Sequence, residues 1–284
     1  MKLLGALAAG ALMLAGGVAT PALAEVKAPL RVLISNDDGV ASEGIAALVA
    51  ALRPFADVTV SAPAANNSGG SQSVTLFNGP VRVERRDTGD GVPHYAVFGT
   101  PADSVIFGLL EAGRAKTFDL VISGINKGEN VGEAVHVSGT VGAARQALML
   151  GVPSIAVSQQ YAPNGKYDFT VAARYTAKLV QALQAMGDRA PRFVSVNVPT
   201  VAKGVKMTPA GGMPFTVKGF TKTGEDGPAT IYRADFGMGG NAPKGSDTEA
   251  LANGYITVTP LTADANARPL DAKTANKLVA IGLQ

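Results

Sequence analysis

The pattern that most constrains the fold is an alternation of short, continuously apolar segments with longer segments of helical periodicity. Apolar runs of strand length occupy residues 30–35, 57–62, 118–122, 153–158 and 192–198. Segments 42–55, 138–150 and 169–186 carry apolar side chains at helical spacing. Strands that are apolar on both faces and alternate with helices form a parallel sheet covered by helices on each side. We therefore predict an α/β fold with a mostly parallel sheet.

The connections between these segments indicate where a ligand would bind. Crossovers between parallel strands are right-handed, so the carboxyl ends of the strands share one edge, where ligands bind. One more helix is predicted from Thr100 to about Leu110, because Pro101 suits its first turn and Asp103 completes a capping box with Thr100.

The alternation weakens after Gly204. Residues 209–245 are rich in Gly, Pro, Lys and Thr and contain only short strand-like pieces, and a last strand is predicted over Ile256–Leu261. We interpret this region, about 204–262, as including an extended C-terminal arm and not as a second domain.

The N-terminus has the three parts of a secretory signal peptide. A short basic start with Lys2 is followed by an apolar stretch and by the ending Ala22-Leu23-Ala24. The alternative is a buried N-terminal helix, but the stretch has no polar face. We predict a signal peptide over 1–24 and a mature domain over 25–284, or 284 − 24 = 260 residues. The expected location is the periplasm or the exterior of the cell.

Composition excludes several classes of protein. No later segment reaches the roughly 18 consecutive apolar residues of a membrane span. Without Lys2 the chain has 24 basic and 22 acidic residues, which argues against a stable complex with nucleic acid. The chain has two histidines and no cysteine, which excludes thiol catalysis and a zinc site built from several histidines.

The loop after the first predicted strand reads Asn36-Asp37-Asp38-Gly39. Two adjacent carboxylates at the end of a buried strand repel each other and lose hydration, unless a cation neutralises them. A hard divalent ion prefers such oxygen ligands. The alternative is an ordinary turn, because the same four residues also favour one.

Two further strands also end in polar, glycine-containing loops. Residues 63–75 include Ser68 and suit a metal or phosphate site, although they also suit a solvated loop. Residues 123–140 include Asn126 and end in Ser138-Gly139-Thr140 at the start of a helix. The free N–H groups and the dipole of that helix favour a phosphate. The plain alternative is that Ser138 or Thr140 only caps the helix.

Taken together, these motifs resemble the SurE family of 5′-nucleotidases, in the order in which that family carries them. The resemblance covers about residues 30–262. It rests on segments 34–40, 62–69, 99–103, 123–126, 138–141, 151–158 and 246–261.

The resemblance implies a Rossmann-like, three-layer core and hydrolysis of nucleoside 5′-monophosphates to nucleoside and phosphate. It also implies one divalent metal ion, Mg²⁺ or Mn²⁺, and dimers or tetramers in which a C-terminal arm exchanges between subunits. Carried over residue by residue, the metal ligands are Asp37, Asp38, Ser68 and Asn126.

The predicted reaction is metal-assisted attack of water on the phosphoryl group. Asp37 and Asp38 are the predicted catalytic residues, and the predicted substrate contacts are Asn126, Ser138, Gly139 and Thr140. Two departures from the family concern substrate preference. Charged residues are common in the family at the positions of Ala64, Ala65, Asn66 and Asn67. An acidic residue is common where this chain has Arg145-Gln146. A broad acid phosphatase and a non-catalytic exported nucleotide-binding protein are the alternatives.

Overall fold

A computed structural model describes residues 28–264, so the predicted signal peptide lies outside the described residues. The strands are β1 (Leu30–Ser35), β2 (Ala56–Pro63), β3 (Val83–Arg86), β4 (His94–Val97), β5 (Leu120–Lys127), β6 (Ser154–Gln159), β7 (Phe193–Val198), β8 (Gly204–Met207), β9 (Met213–Asp226), β10 (Ala229–Asn241) and β11 (Tyr255–Pro260). The helices are α1 (Glu43–Leu52), α2 (Pro101–Phe107), α3 (Gly139–Met149), α4 (Thr170–Met186) and α5 (Asp247–Ala252).

Nine of these strands form one sheet in the order β3-β4-β2-β1-β5-β6-β7-β11-β8. The strands from β4 to β7 in this order run parallel to one another. At the two ends, β3 pairs antiparallel with β4, and β11 pairs antiparallel with β7 and parallel with β8. The chain moves outward from β1 through β2 and then returns to β5 on the other side of β1. The order therefore reverses between β1 and β5, and ligands of such sheets bind outside the carboxyl ends of strands at that point.

Helices cover both faces of the sheet. Ile34 of β1 packs in one cluster with Leu48 of α1 and Val180 of α4, whereas Leu33 packs on the opposite face with Val105 of α2 and Ala143 of α3. Alternate residues of a strand point to opposite faces, so burial of both neighbours requires two helical layers. The prediction of a Rossmann-like three-layer α/β fold with a mostly parallel sheet is confirmed.

Side-chain caps define the starts of the helices that flank the site. Ser42 caps α1, and Thr100 caps α2 in a reciprocal capping box with Asp103. The predicted helix from Thr100 is α-helical to Phe107 and continues to Ala112 as a wider π-helical turn.

The C-terminal part divides between the sheet and an extension. Strands β8 and β11 join the nine-stranded sheet, whereas β9 and β10 form a separate antiparallel hairpin with largely exposed side chains. The hairpin is the extended arm expected from the sequence. Within residues 28–264, no helix is long and apolar enough to cross a membrane.

Candidate active site

The turn after β1 is built by Asn36. This fully buried side chain donates from Nδ2 to the Gly39 carbonyl at 3.1 Å and to Ser42 Oγ at 2.7 Å, and its Oδ1 accepts from Gly39 N–H at 3.1 Å. The side-chain amide of Asn36 therefore holds both the turn and Ser42, the residue that caps α1. Because Asn36 holds the turn, the side chains of Asp37 and Asp38 are not needed for it, and both remain available for chemistry.

Asp37 is buried and points to the start of α3. The hydroxyl of Thr140 donates to Asp37 Oδ1 at 2.5 Å, and the backbone N–H of Thr140 also bonds to this carboxyl. Burial raises the pKa of Asp37 to about 6; the Thr140 hydroxyl opposes that rise, while the charge of Asp38 adds to it. A carboxyl that is 3 % exposed thus keeps a proton more readily than an aspartate in water.

Asp38 carries an unmatched acceptor. Its Oδ2 is buried and has no hydrogen-bond partner among the described residues. Burial raises the pKa of Asp38, while a backbone hydrogen bond from Lys127 and the charge of that lysine lower it. A buried carboxylate oxygen without a donor is unfavourable, and a divalent cation supplies the partner that this oxygen lacks.

The other two predicted metal ligands lie on the neighbouring loops. Asn126, near the end of β5, donates from Nδ2 to the Gly128 carbonyl at 2.7 Å, so its amide oxygen is the atom left for a ligand. Ser68 is exposed on the loop after β2, and its N–H donates to Asn66 Oδ1 at 3.0 Å. The next residue back, Asn67, donates its N–H to the Asp37 carbonyl at 2.7 Å. The Ser68 loop is therefore attached directly to the aspartate loop.

The start of α3 combines capping with close packing. Ser138 caps the helix by accepting from Val141 N–H at 3.1 Å. A methyl group added at Gly139 would lie 2.8 Å from Cβ of Asp37 and 2.9 Å from its Oδ2, so glycine is required for this approach. The buried hydroxyl of Thr140 donates to Asp37 and so orients that carboxyl. The predicted phosphate contacts of Ser138, Gly139 and Thr140 stay predictions.

Two further contacts hold the Ser68 loop in place. The buried carboxylate of Asp103 accepts from Thr75 N–H at 3.0 Å and from the Thr75 hydroxyl at 2.5 Å, in addition to its role in the capping box. On the other side, a methyl group at Gly142 would lie 2.4 Å from the Ser71 carbonyl. The loop is thus fixed between α2 and α3. The capping pattern identified Asp103 in the sequence, but nothing indicated its bonds to Thr75.

Asp247 is far along the chain from the aspartates and connects two segments near the site. This buried residue at the start of α5 accepts from the N–H groups of Gly132 at 3.0 Å, Gly211 at 3.0 Å and Thr248 at 2.8 Å. Gly132 begins the turn that leads to Ser138, and Gly211 lies at the base of the arm. One carboxylate therefore ties the arm to the loop before α3, a role that the sequence did not predict.

The candidate ligands favour a hard cation that prefers oxygen ligands. Across residues 28–264, no group of three or more His, Cys, Asp and Glu side chains is placed to hold a metal. The candidate set has two carboxylates, one amide oxygen and one hydroxyl, which suits Mg²⁺ or Mn²⁺ better than zinc. The buried oxygen of Asp38 fits this kind of ion.

This chain is similar to known proteins both in sequence and in structure. A sequence model of the family described as "Survival protein SurE" matches residues 32–217. The chain belongs to the SurE family. It is 39 % identical over 244 residues to a 5′-nucleotidase SurE from Aeromonas hydrophila, covering 84 % of this chain and 94 % of that protein. The crystal structure of the SurE protein from Aquifex aeolicus superposes with a TM-score of 0.71 at 34 % identity, covering 88 % and 98 % of the two chains.

The raised pKa of Asp37 predicts how the metal-free protein responds to pH. The folded state holds a proton on Asp37 up to about pH 6, whereas the ordinary aspartate value is 3.8. Protonation of Asp37 therefore stabilises the folded state at low pH. This contribution to the free energy of unfolding is lost as the pH rises from 3.8 to about 6, and it amounts to at most about 3 kcal/mol. In Asp37→Asn this loss should disappear.

Denaturant unfolding from pH 4 to pH 7 with a chelator measures this difference between parent and variant. Asp188→Asn, at an exposed site far from the loop, is the matched control and should follow the parent. The same pH dependence in the parent and in Asp37→Asn would contradict the assignment.

Proposed function

We propose that this chain hydrolyses nucleoside 5′-monophosphates to nucleoside and phosphate with the help of one divalent metal ion. The observation that carries the proposal is the buried Asp38 oxygen without a partner, beside a second carboxylate at the sheet's switch point. The relative named 5′-nucleotidase supports the substrate class.

Within this proposal, Asp37, Asp38, Ser68 and Asn126 hold the ion. When bound, the ion supplies positive charge that stabilises the phosphoryl oxygens as the ester bond breaks. Mg²⁺ and Mn²⁺ both suit the ligand set, and the proposal covers either ion.

Residues of the chain orient the carboxylate, accept the proton and bind the phosphate. Thr140 holds the Asp37 carboxylate in one orientation. Asp37 or Asp38 accepts the proton that an attacking water loses. Ser138 and Gly139 present the first turn of α3 to the phosphate, where helix N–H groups favour an anion. The phosphate is thus placed between a proton acceptor and the helix start.

A broad phosphatase is the second candidate, and one observation favours it. The loop beside the aspartates has the small side chains of Ala64 and Ala65, which offer no charge for reading a base. Weak discrimination between phosphate esters is expected where a site makes few specific polar contacts to the leaving group.

Phosphate release from the four common nucleoside monophosphates tests the proposal. The parent should be active with Mg²⁺ or Mn²⁺ and inactive with a chelator. Asp38→Asn should lower kcat/KM by about a hundredfold or more, roughly 2.7 kcal/mol of transition-state stabilisation. Asp188→Asn again serves as the control and should retain parental activity.

A generic aryl phosphate measured in parallel separates the alternatives. Equal kcat/KM for the aryl ester and the nucleotides would establish the broad phosphatase. Nucleotide binding without phosphate release, whatever the added metal, would overturn the enzymatic proposal.

We also propose export through the predicted signal peptide, because residues 1–24 have the basic, apolar and small-residue parts of one. N-terminal sequencing of the active protein from its native host should give a start at or near Glu25. A start at Met1 would contradict export by this route.

The arm supports a proposed dimer or tetramer. Several large apolar side chains of the β9–β10 hairpin are exposed, and Phe220 and Phe236 are the most open of those described, at 68 % and 66 %. An exposed apolar ribbon of this kind is stabilised by packing against a second copy of the chain.

Sedimentation velocity measures this assembly. The parent should sediment as a dimer or tetramer, and Phe220→Asp should shift it toward the monomer because a charge is unfavourable in an apolar interface. Thr223→Asp, exposed on the same strand, is the control. A monomeric parent, or a Phe220→Asp variant with unchanged assembly, would count against the arm as the contact.

A further inference from the structure

A cavity of about 480 Å³ adjoins the aspartate loop. It lies at the carboxyl ends of β2 and β4, and its wall nearest the aspartates includes Ala64, Ala65, Asn66 and Asn67. This volume falls within the usual range for sites that bind small ligands. None of the metal ligands or phosphate contacts assigned above lines this cavity.

The cavity shares its wall with the aspartate loop. A methyl group added at Gly39 would lie 3.1 Å from the carbonyl carbon of Ala65, so the two loops are in contact. The N–H of Asn67 donates to the Asp37 carbonyl at 2.7 Å. The wall of the cavity is therefore continuous with the loop that carries Asp37 and Asp38.

An aromatic ring forms another part of the cavity wall. Phe98 lines the cavity and is 44 % exposed, unusually open for a phenylalanine at the end of a strand. The guanidinium of Arg82 stacks at 4.4 Å from the ring centroid, and Arg82 does not line the cavity. The N–H of Phe98 donates to the Arg82 carbonyl at 2.9 Å, which fixes the backbone at this point. Part of the ring therefore stays uncovered where Phe98 lines the cavity, on a backbone that is held in place.

The remaining lining is mostly uncharged. It includes the amides of Asn66 and Asn67 and the guanidinium of Arg86, which is already paired with Glu84 at 2.7 Å. Such a lining provides a stacking surface and a few adaptable polar groups but no set of fixed donors and acceptors for one base.

We propose that this cavity is the nucleoside subsite and that Phe98 is its stacking platform for the base. Each base has a π-face, so an aromatic ring binds all of them with modest preference. This inference rests on the proposed function. It adds where the base of the nucleotide binds and why the enzyme accepts different bases. Ala64 and Ala65 leave room for purines as well as pyrimidines.

The test compares nucleoside monophosphates with ribose 5-phosphate, which has the phosphate and sugar but no base. In Phe98→Ala the ratio of kcat/KM between the nucleotide and ribose 5-phosphate should fall by about five- to fiftyfold, as expected for loss of one stacked base. Phe98→Tyr should restore the parental ratio. Phe77→Ala removes a ring that is 92 % exposed outside the cavity, and this control should leave the ratio unchanged.

An unchanged ratio in Phe98→Ala would overturn the subsite, whether kcat/KM stays the same for both substrates or falls equally for both. Thermal melts of Phe98→Ala separate loss of fold from loss of binding, because a half-exposed side chain should cost little stability. If the parent releases phosphate from neither substrate, the proposed function itself fails. If the parent hydrolyses both and only the ratio is insensitive to Phe98, the function stands and the subsite fails.

Discussion

The site depends on the cost of holding two adjacent carboxylates at the end of a buried strand. Burial raises the pKa of both Asp37 and Asp38, and their mutual repulsion adds to the rise at Asp37. The surrounding chain relieves only part of this cost, through Thr140 at Asp37 and Lys127 at Asp38. The oxygen of Asp38 that remains without a donor is the reason to infer a cation.

Three other buried residues hold the loops of the site in place. Asn36 forms the turn, Asp103 fixes the Ser68 loop, and Asp247 ties the loop before α3 to the base of the arm. Each is a buried amide or carboxylate bonded chiefly to backbone N–H or C=O groups. Such bonds restrain loops that carry few apolar contacts, so the site can be rigid although its ligands come from separate loops.

The sequence predicted well what depends on local pattern. Apolar runs located the parallel strands, because both faces of those strands are buried, and capping residues located the starts of α2 and α3. It did not predict contacts between distant segments. The bond from Thr140 to Asp37 spans 103 residues and that from Gly132 to Asp247 spans 115, and no periodicity or spacing encodes such pairs. The antiparallel pairing of β11 with β7 was missed for the same reason.

The aspartate pair should destabilise the metal-free protein and bind the cation. Thermal melts of the parent and Asp38→Asn, each with a chelator and with Mn²⁺, test this most directly, because a bound ion stabilises only a fold that holds it. We predict that the chelated variant is at least as stable as the chelated parent, and that Mn²⁺ raises the Tm of the parent alone. A chelated variant that is less stable by about 1 kcal/mol or more, beside a parent whose Tm does not respond to Mn²⁺, would contradict the account.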